Sequence, residues 1–295
     1  MKVLITGSSG FIGRYTVRML QEMAGQDVID YPIIEEIDPQ IYFTSTILNK
    51  ELLREKLINC DYVIHLGAAS GSLTFNPIKH ACEVNCIGTL NLLDESVQAG
   101  VKKIVFATTG SSYAFTPIPH KEDCKLNIPN FYTATKLFNE YSIQLYKELY
   151  GLDYVILRYG SVYGPHESKG NLANVISQFV AAMSFDQSPV LFGDGSQTRD
   201  FVFAKDVAAA NIFAMFRLKN DIFNVGTGVS TSFNEVVELI NKFLGKDIKP
   251  IYKQFDTKVQ TQYVAEQRMD ISKITQAGWE WQYSVEDGIK EYAKS

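Results

Sequence analysis

Lys2-Val-Leu-Ile-Thr6 runs directly into Gly7-Ser-Ser-Gly10-Phe-Ile-Gly13, and Arg14 to Ala24 follows with Val17, Leu20 and Ala24 on one helical face. The first five residues read as a short apolar strand, the glycines as a turn, and the rest as a helix. In such a unit the first glycine allows a tight turn, the second lets the backbone approach a pyrophosphate, and the third lets helix and strand pack closely. The helix start adds free N–H groups and a positive dipole end. The spacing is GxxGxxG rather than GxGxxG. Its position after a first strand and before a helix is what points to dinucleotide binding.

Outward from this unit, Asp27-Val-Ile-Asp30 reads as a second strand. Asp30 lies about 23 residues after Gly7, where a strand-end carboxylate can bond the adenosine ribose hydroxyls. A carboxylate repels a 2′-phosphate, so NAD is expected over NADP. Asp38 is a rival within an irregular stretch, Tyr31 to Gln40. Ile41–Ser45 reads as a third strand and Leu48–Leu57 as a helix. Asp61–Leu66 is a buried strand that ends in Gly67-Ala68-Ala69, small residues that let a ligand lie close over the sheet edge. His65, inside that apolar run, reads as a packed core histidine.

Pro77 to Gln98 has a helical pattern with Val84, Leu92 and Val97, interrupted by Asn85 and Gly88. Lys103–Ala107 is a strand ending in Thr108-Thr109-Gly110-Ser111-Ser112, and a Pro-rich, charged loop spans Tyr113 to Asn130. Phe131 to Tyr150 lacks Pro and Gly and carries Leu137, Tyr141, Leu145 and Leu149 at helical spacing. Val155–Leu157 leads into Arg158-Tyr-Gly-Ser-Val-Tyr-Gly-Pro165. Strand and helix thus alternate about six times, the pattern of a parallel doubly wound sheet. Ligands bind beyond the carboxyl ends of such strands. Gly7–Gly13, Asp30, Leu66–Ser70, Thr108–Ser112 and Ser161–Gly164 all follow strands and should meet along one edge.

Tyr132 and Lys136 stand four apart on the Phe131–Tyr150 helix and so share a face. A free tyrosine titrates near about 10. A neighbouring ammonium favours the anion and lowers that value, so the pair can serve as a general acid–base near neutral pH.

Composition restricts the alternatives. The chain has 295 residues, 46% hydrophobic and 21% charged, ordinary for a globular protein with ample core. A net charge of −5 offers no basic field for nucleic acid. No apolar run approaches the roughly 20 residues that span a bilayer, and the start lacks a signal-peptide pattern, so a cytoplasmic protein with no membrane partner is expected. Cys60, Cys82, Cys86 and Cys124 form no CxxC pair. Cys82 and Cys86 are expected to be buried apolar residues rather than metal ligands.

These residues resemble the extended short-chain dehydrogenase/reductases, and within them the NAD-dependent epimerase/dehydratase group acting on nucleotide sugars. The resemblance rests on Thr6–Gly13, His65–Ala69, Asn85-Cys-Ile-Gly-Thr-Leu-Asn91, Tyr132–Lys136, Val162–Pro165, Gly193–Phe201, Phe223–Gly228, Asp270–Lys273 and Gly278-Trp279, in order along nearly the whole chain. It implies a tightly held NAD, with Tyr132 as acid–base and Lys136 as its partner. It implies that Thr109, rather than Thr108, bonds the sugar oxygen. Phe11 and Ile12 would offer backbone N–H groups to the pyrophosphate beside Gly7, Gly10 and Gly13. Leu66, Gly67, Ala68 and Asn85 would flank the cofactor. Thr46-Ile47 falls where the family has an acidic and an aliphatic residue by the adenine, and here the acidic one is missing.

The fold this implies is α/β: a Rossmann-type doubly wound parallel sheet with a smaller, discontinuous C-terminal substrate-binding α/β region. Residues 1–165, completed by about 201–228, would form the NAD-binding domain, and 166–200 with 229–295 the substrate-binding region. Asn171–Met183, Val207–Leu218 and Phe233–Leu244 read as helices. By resemblance Arg199 would clamp the nucleotide diphosphate and Asn174 would bond the sugar phosphate. Asp200 and Asp206 are alternative ion-pair partners for Arg199. Ser161 replaces the family's asparagine before VYGP, and the family's Arg-Pro-Gly-Asp segment is not recognisable between Gln254 and Arg268. Lys258 and Arg268 are candidate substitutes. The resemblance also implies a homodimer packed through the Ile78–Gln98 and Thr133–Tyr150 helices.

Within the resembled family a 4,6-dehydratase carries Asp-Glu just after the Ser/Thr, and a decarboxylase a Glu in the same segment. Here those positions are Gly110 and Ser111, which do not ionise. The expected reaction is therefore C4 epimerisation of a nucleotide sugar of the UDP-glucose/UDP-galactose kind, with a UDP-hexose as substrate and no net NAD consumed. Small residues at Gly110, Gly160 and Ser161 are expected to give the sugar room to turn. The alternatives are a nucleotide-sugar 4,6-dehydratase or ketoreductase, and a non-catalytic NAD-binding member.

Overall fold

Val3, Leu4 and Ile5 are fully buried, and that burial is what makes the first five residues the middle of a sheet. The computed structural model describes residues 1–25, 33–36, 47–69, 78–167, 170, 173–254 and 264–294. Along the chain come β1 (Lys2–Thr6), α1 (Phe11–Gly25), β2 (Ile33–Glu36), α2 (Lys50–Leu57), β3 (Tyr62–His65) and α3 (Ile78–Cys82). A π-helical turn, Glu83–Ile87, leads into α4 (Gly88–Ala99), β4 (Lys103–Thr109), α5 (Phe131–Tyr150) and β5 (Asp153–Tyr159). Then follow β6 (Ser161–Tyr163), α6 (Val175–Ser184), β7 (Val190–Phe192), β8 (Thr198–Arg199), β9 (Phe201–Phe203), α7 (Ala204–Arg217) and β10 (Asp221–Val225). The chain closes with β11 (Thr231–Ser232), α8 (Phe233–Leu244), β12 (Ile251–Lys253), α9 (Ser272–Gln276) and α10 (Val285–Tyr292).

Two compact units divide these elements. The first holds Met1–Ser112, Asn130–Arg158 and Val207–Phe223. Its sheet has six strands in the order β10-β5-β4-β3-β1-β2. β1 pairs in parallel with β2 and β3, and β3 with β4. Thr6 lies opposite His65 and His65 opposite Phe106, so Gly7, Leu66 and Ala107 emerge at one edge. This is the Rossmann-type doubly wound sheet. One face packs on α2, α4 and α5 through Leu53, Leu57, Leu92, Leu93, Ile104 and Ile143. Lys103 on β4 is buried, and its Nζ donates to the carbonyls of Met215 and Leu218, each at 2.7 Å. A side-chain cation thus satisfies the carboxyl end of α7, as a helix dipole favours.

The second unit holds Tyr113–Pro129, Tyr159–Asp206 and Asn224–Ser295. Tyr163, Phe179, Phe201, Phe203, Val236 and Ile240 form its core. Asp200, fully buried, ties three of its segments together. Its carboxylate accepts from Thr227 N (2.7 Å) and Oγ1 (2.9 Å), Gly228 N (2.9 Å) and Met269 N (3.0 Å). A Cβ on Gly226 would stand 2.8 Å from that carboxylate, so the position has no space for a side chain.

Several sequence expectations change. α1 begins at Phe11, three residues early, because the turn Gly10 N to Gly7 O (3.0 Å) already starts the helical bonding that Arg14 N to Gly10 O continues. β2 falls inside the stretch read as irregular, because the edge of β1 supplies its ladder. The strands expected at 27–30 and 41–45, with Asp30, Asp38 and Thr46, lie outside the described residues. The interruption near Asn85 is the π turn, which buries Val84 and Asn85 and leaves Cys82 and Cys86 half-buried rather than buried. Among the described residues no helix is long and apolar enough to cross a membrane.

Candidate active site and cofactor cradle

The glycine loop is built by backbone contact. Gly7 has φ +72°, a left-handed conformation that costs glycine nothing. A Cβ there would stand 2.7 Å from Gly67 N. A Cβ on Gly13 would stand 2.0 Å from Gly7 O, which is why α1 can sit against its own turn only with glycine here. Leu66 N donates to Thr6 O (3.1 Å) and Gly67 N to Thr6 Oγ1 (3.1 Å), so the loops after β1 and β3 are joined.

These residues fit a dinucleotide. Among the described residues no acceptor pairs with the N–H groups of Phe11 or Ile12 at the start of α1. The hydroxyl of Ser8, in the middle of the loop, is buried and has no hydrogen-bond partner among the described residues. A buried donor left unmade is costly, and a pyrophosphate would satisfy such groups.

Tyr132 is the second residue of α5, and Asn130 sets the start of that helix. The Asn130 carboxamide oxygen accepts from Thr133 N (2.9 Å) and Thr133 Oγ1 (3.1 Å), an N-cap that the sequence reading missed although Asn before a helical run is its signature. Lys136 lies one turn on and is 3% exposed. Its Nζ donates to Ala107 O (2.9 Å), and stands 4.7 Å from the Phe106 ring centre and 5.8 Å from that of Tyr132.

The two side chains do share a face, but the expected electrostatic effect is reversed. Burial pushes the Tyr132 phenol up to about 12, and the Lys136 ammonium, 5.8 Å from the Tyr132 ring centre, does not offset it.

β4 separates the two threonines at its end. Strand alternation sends Thr108 inward, where its Oγ1 donates to Glu140 Oε1 (2.8 Å). Thr109 remains half-buried on the other side. Its hydroxyl donates to Ser111 Oγ (3.0 Å) and accepts from Ser111 N (3.1 Å). Glu140 also receives the guanidinium of Arg158, with NH2 to Oε2 at 2.6 Å and both partners almost fully buried. Sequence reading gave no sign of this pair, since nothing local links the two residues.

Asn85, in the π turn, binds both edges around it. Its Oδ1 accepts from Ala69 N (2.8 Å), and its Nδ2 donates to Ala69 O (3.1 Å) and Thr135 Oγ1 (3.0 Å). Gly7, Gly10, Phe11, Ile12, Gly13, Leu66, Gly67, Ala68, Asn85, Thr109, Tyr132 and Lys136 all belong to the first unit.

The remaining candidates belong to the second unit. Asn174 caps α6, its Oδ1 accepting from Ile176 N (3.0 Å), which leaves its Nδ2 and a second oxygen lone pair for a ligand. The Ser161 hydroxyl donates to Gln267 Oε1 (3.1 Å). The Arg199 guanidinium donates to Thr198 O (2.6 Å) and lies 5.6 Å from the Phe233 ring centre. Asp200 and Asp206 are held by other groups, Asp206 by Gln282 N and Tyr283 N. Gly160 makes no room for a sugar: a Cβ there would stand 2.8 Å from Asp200 O, so its smallness serves backbone packing. Lys258 lies outside the described residues, while Arg268 carries a buried Nε without a partner among them.

The family model described as "NAD dependent epimerase/dehydratase family" matches residues 3–226. A putative UDP-glucose 4-epimerase of Methanocaldococcus jannaschii is 36% identical over 300 residues, covering 98% of this chain and 96% of its own. A UDP-glucuronate 4-epimerase of Thermodesulfobacterium geofontis is 33% identical, covering 97% of this chain and 93% of its own. The crystal structure of a Thermotoga maritima UDP-glucose 4-epimerase with UDP-glucose superposes with a TM-score of 0.87 at 30% identity, covering 100% of this chain and 98% of its own.

Proposed function

The chain belongs to the NAD dependent epimerase/dehydratase family, and from that premise we propose that it is a nucleotide-sugar 4-epimerase acting on a UDP-hexose of the glucose/galactose kind. The observation that carries the reading is the set Thr109, Tyr132 and Lys136 flanked by Gly110 and Ser111. Tyr132 supplies an acid–base, and neither of the two positions after Thr109 carries an ionising group for a second proton shuttle.

NAD, when bound, accepts a hydride from the sugar C4, returns it, and adds a positive charge to the site. Tyr132 Oη, as phenolate, would take the O4 proton as O4 becomes a ketone oxygen. After the ketone presents its other face, Tyr132 Oη gives the proton back. The Thr109 hydroxyl would orient O4, and Lys136 would hold the nicotinamide ribose. Because burial pushes the Tyr132 phenol up to about 12 in the chain alone, the base form depends on the charge that the cofactor brings. Arg199, Ser161 and Asn174 are assigned to the substrate, and Arg268, whose buried Nε has no partner among the described residues, to the place of the family's tail arginine.

Incubation with UDP-glucose, UDP-galactose, their N-acetylated forms and UDP-glucuronate, followed by mass and NMR, tests the reading. The expected product has unchanged mass and an inverted C4. A 4-keto-6-deoxy product would mean dehydration, and net consumption of cofactor a ketoreductase. No turnover of any of these sugars would sink the epimerase reading.

α5 supports a homodimer. Leu137, expected on its apolar stripe, is buried, but Phe138, Tyr141, Leu145 and Leu149 are exposed by 43–69%. Ile78 and Ile87 are exposed as well. A run of this kind marks an interaction surface, and a sedimenting monomer at micromolar concentration would remove the proposal.

A further inference from the structure

Thr6, His65, Asn85, Thr89 and Asn139 form a polar chain through the interior of the first unit, each 3% exposed or less. The direction of every bond in it follows from what each atom can do. The Asn85 carbonyl can only accept, and Thr89 Oγ1 stands 2.6 Å from it, so the single Thr89 hydroxyl proton is committed there. Toward His65 Nε2 at 2.9 Å, Thr89 Oγ1 is therefore an acceptor, and it also accepts from Asn139 Nδ2 at 3.2 Å. The Nε2 atom must carry a proton. Burial, with the nearby Lys136 charge adding to it, pushes the imidazole down to about 3, which keeps the ring neutral. Nδ1 is then bare and accepts the Thr6 hydroxyl proton at 2.6 Å. Thr6 Oγ1 completes the series by accepting from Gly67 N at 3.1 Å.

Both ends of this series reach the candidate site. Gly67 belongs to the loop that would receive the cofactor. Asn85 holds Ala69 in the same loop by two bonds, and holds Thr135, between Tyr132 and Lys136 in sequence, by a third. Asn139, three residues past Lys136, adds a bond of 2.8 Å to Asn85 O.

We propose that His65 is a positioning residue: as the neutral Nε2–H tautomer it locks the loop Leu66–Ala69 to the π turn and, through it, to the helix that carries Tyr132 and Lys136. A packed core histidine would need no particular tautomer, whereas here either ring nitrogen has a partner of fixed polarity. The proposal rests on the reading of Tyr132 and Lys136 as the reaction site.

Nitrogen NMR of the full chain labelled in histidine tests the tautomer in the wild type. His65 is expected to be Nε2–H and not to titrate between about pH 5 and 8, away from the ordinary value near 6.5. An Nδ1–H form, or titration in that interval, overturns the proposal. His65→Leu removes both bonds and is expected to weaken NAD binding about tenfold and lower kcat, with KM for the nucleotide sugar little changed. His65→Gln, which can supply one acceptor and one donor, should recover part of both losses. A folded His65→Leu protein with wild-type NAD affinity and kcat also overturns it, and if that variant does not fold the tautomer decides. Absence of turnover in the wild type, with the tautomer as expected, would remove the epimerase reading instead.

Discussion

Replacing Tyr132 by phenylalanine is expected to lower nucleotide-sugar turnover by about 10²–10⁴-fold while NAD still binds. The change removes one oxygen from a half-buried ring at the start of α5 and leaves the Asn130 cap and the Lys136 contact with Ala107 in place. It also removes a polar group whose burial is unfavourable to its charged form, so folding should not suffer. The loss belongs to kcat, because the glycine loop, the Phe11 and Ile12 N–H groups and Asn85 do not depend on the phenol. Steady-state rates set against NAD content after purification check this. A Phe variant with the wild-type rate would remove Tyr132 from the mechanism.

Glu140→Gln is the second large effect, and it acts on stability. The Glu140–Arg158 pair is buried at 2–3% side-chain exposure, and Glu140 also accepts from Thr108. Gln keeps the shape and an acceptor oxygen but removes the negative charge facing a buried guanidinium. Removing one partner of such a pair costs about 3–5 kcal/mol, whereas replacing both by apolar side chains is often neutral. Denaturant unfolding should therefore show a large loss for Glu140→Gln and a smaller one for Glu140→Met with Arg158→Leu. A loss below about 1 kcal/mol in the single variant would mean that the pair contributes little to the α5–β5 contact.

What was legible in the chain and what was not divide along physical lines. The first strand and its glycines could be read because each signal is local: three apolar residues for the sheet, then three glycines, of which Gly7 and Gly13 stand where a Cβ would collide with backbone. The common face of Tyr132 and Lys136 was legible because helical spacing fixes it. The rise in the Tyr132 pKa was not, since it depends on what surrounds the ring rather than on its neighbour four residues on. The Glu140–Arg158 pair, the Lys103 cap on α7 and the His65 series all join residues distant in sequence, and no periodicity encodes them. Asn174 shows the opposite case. Its place before a helical run was a local capping signal that the sequence reading passed over. Gly160 was misread for a similar reason, because a small residue beside a site looks like space for a ligand when it is space for the Asp200 carbonyl.

The central claim is that Tyr132 and bound NAD carry out one oxidation and one reduction at the same sugar carbon. Turnover of UDP-galactose deuterated at C4 tests it most directly. The account predicts UDP-glucose of unchanged mass with the deuterium still on C4, because the hydrogen leaves as hydride and returns without meeting solvent. Deuterium lost to water, or a product lighter by one water, would contradict it.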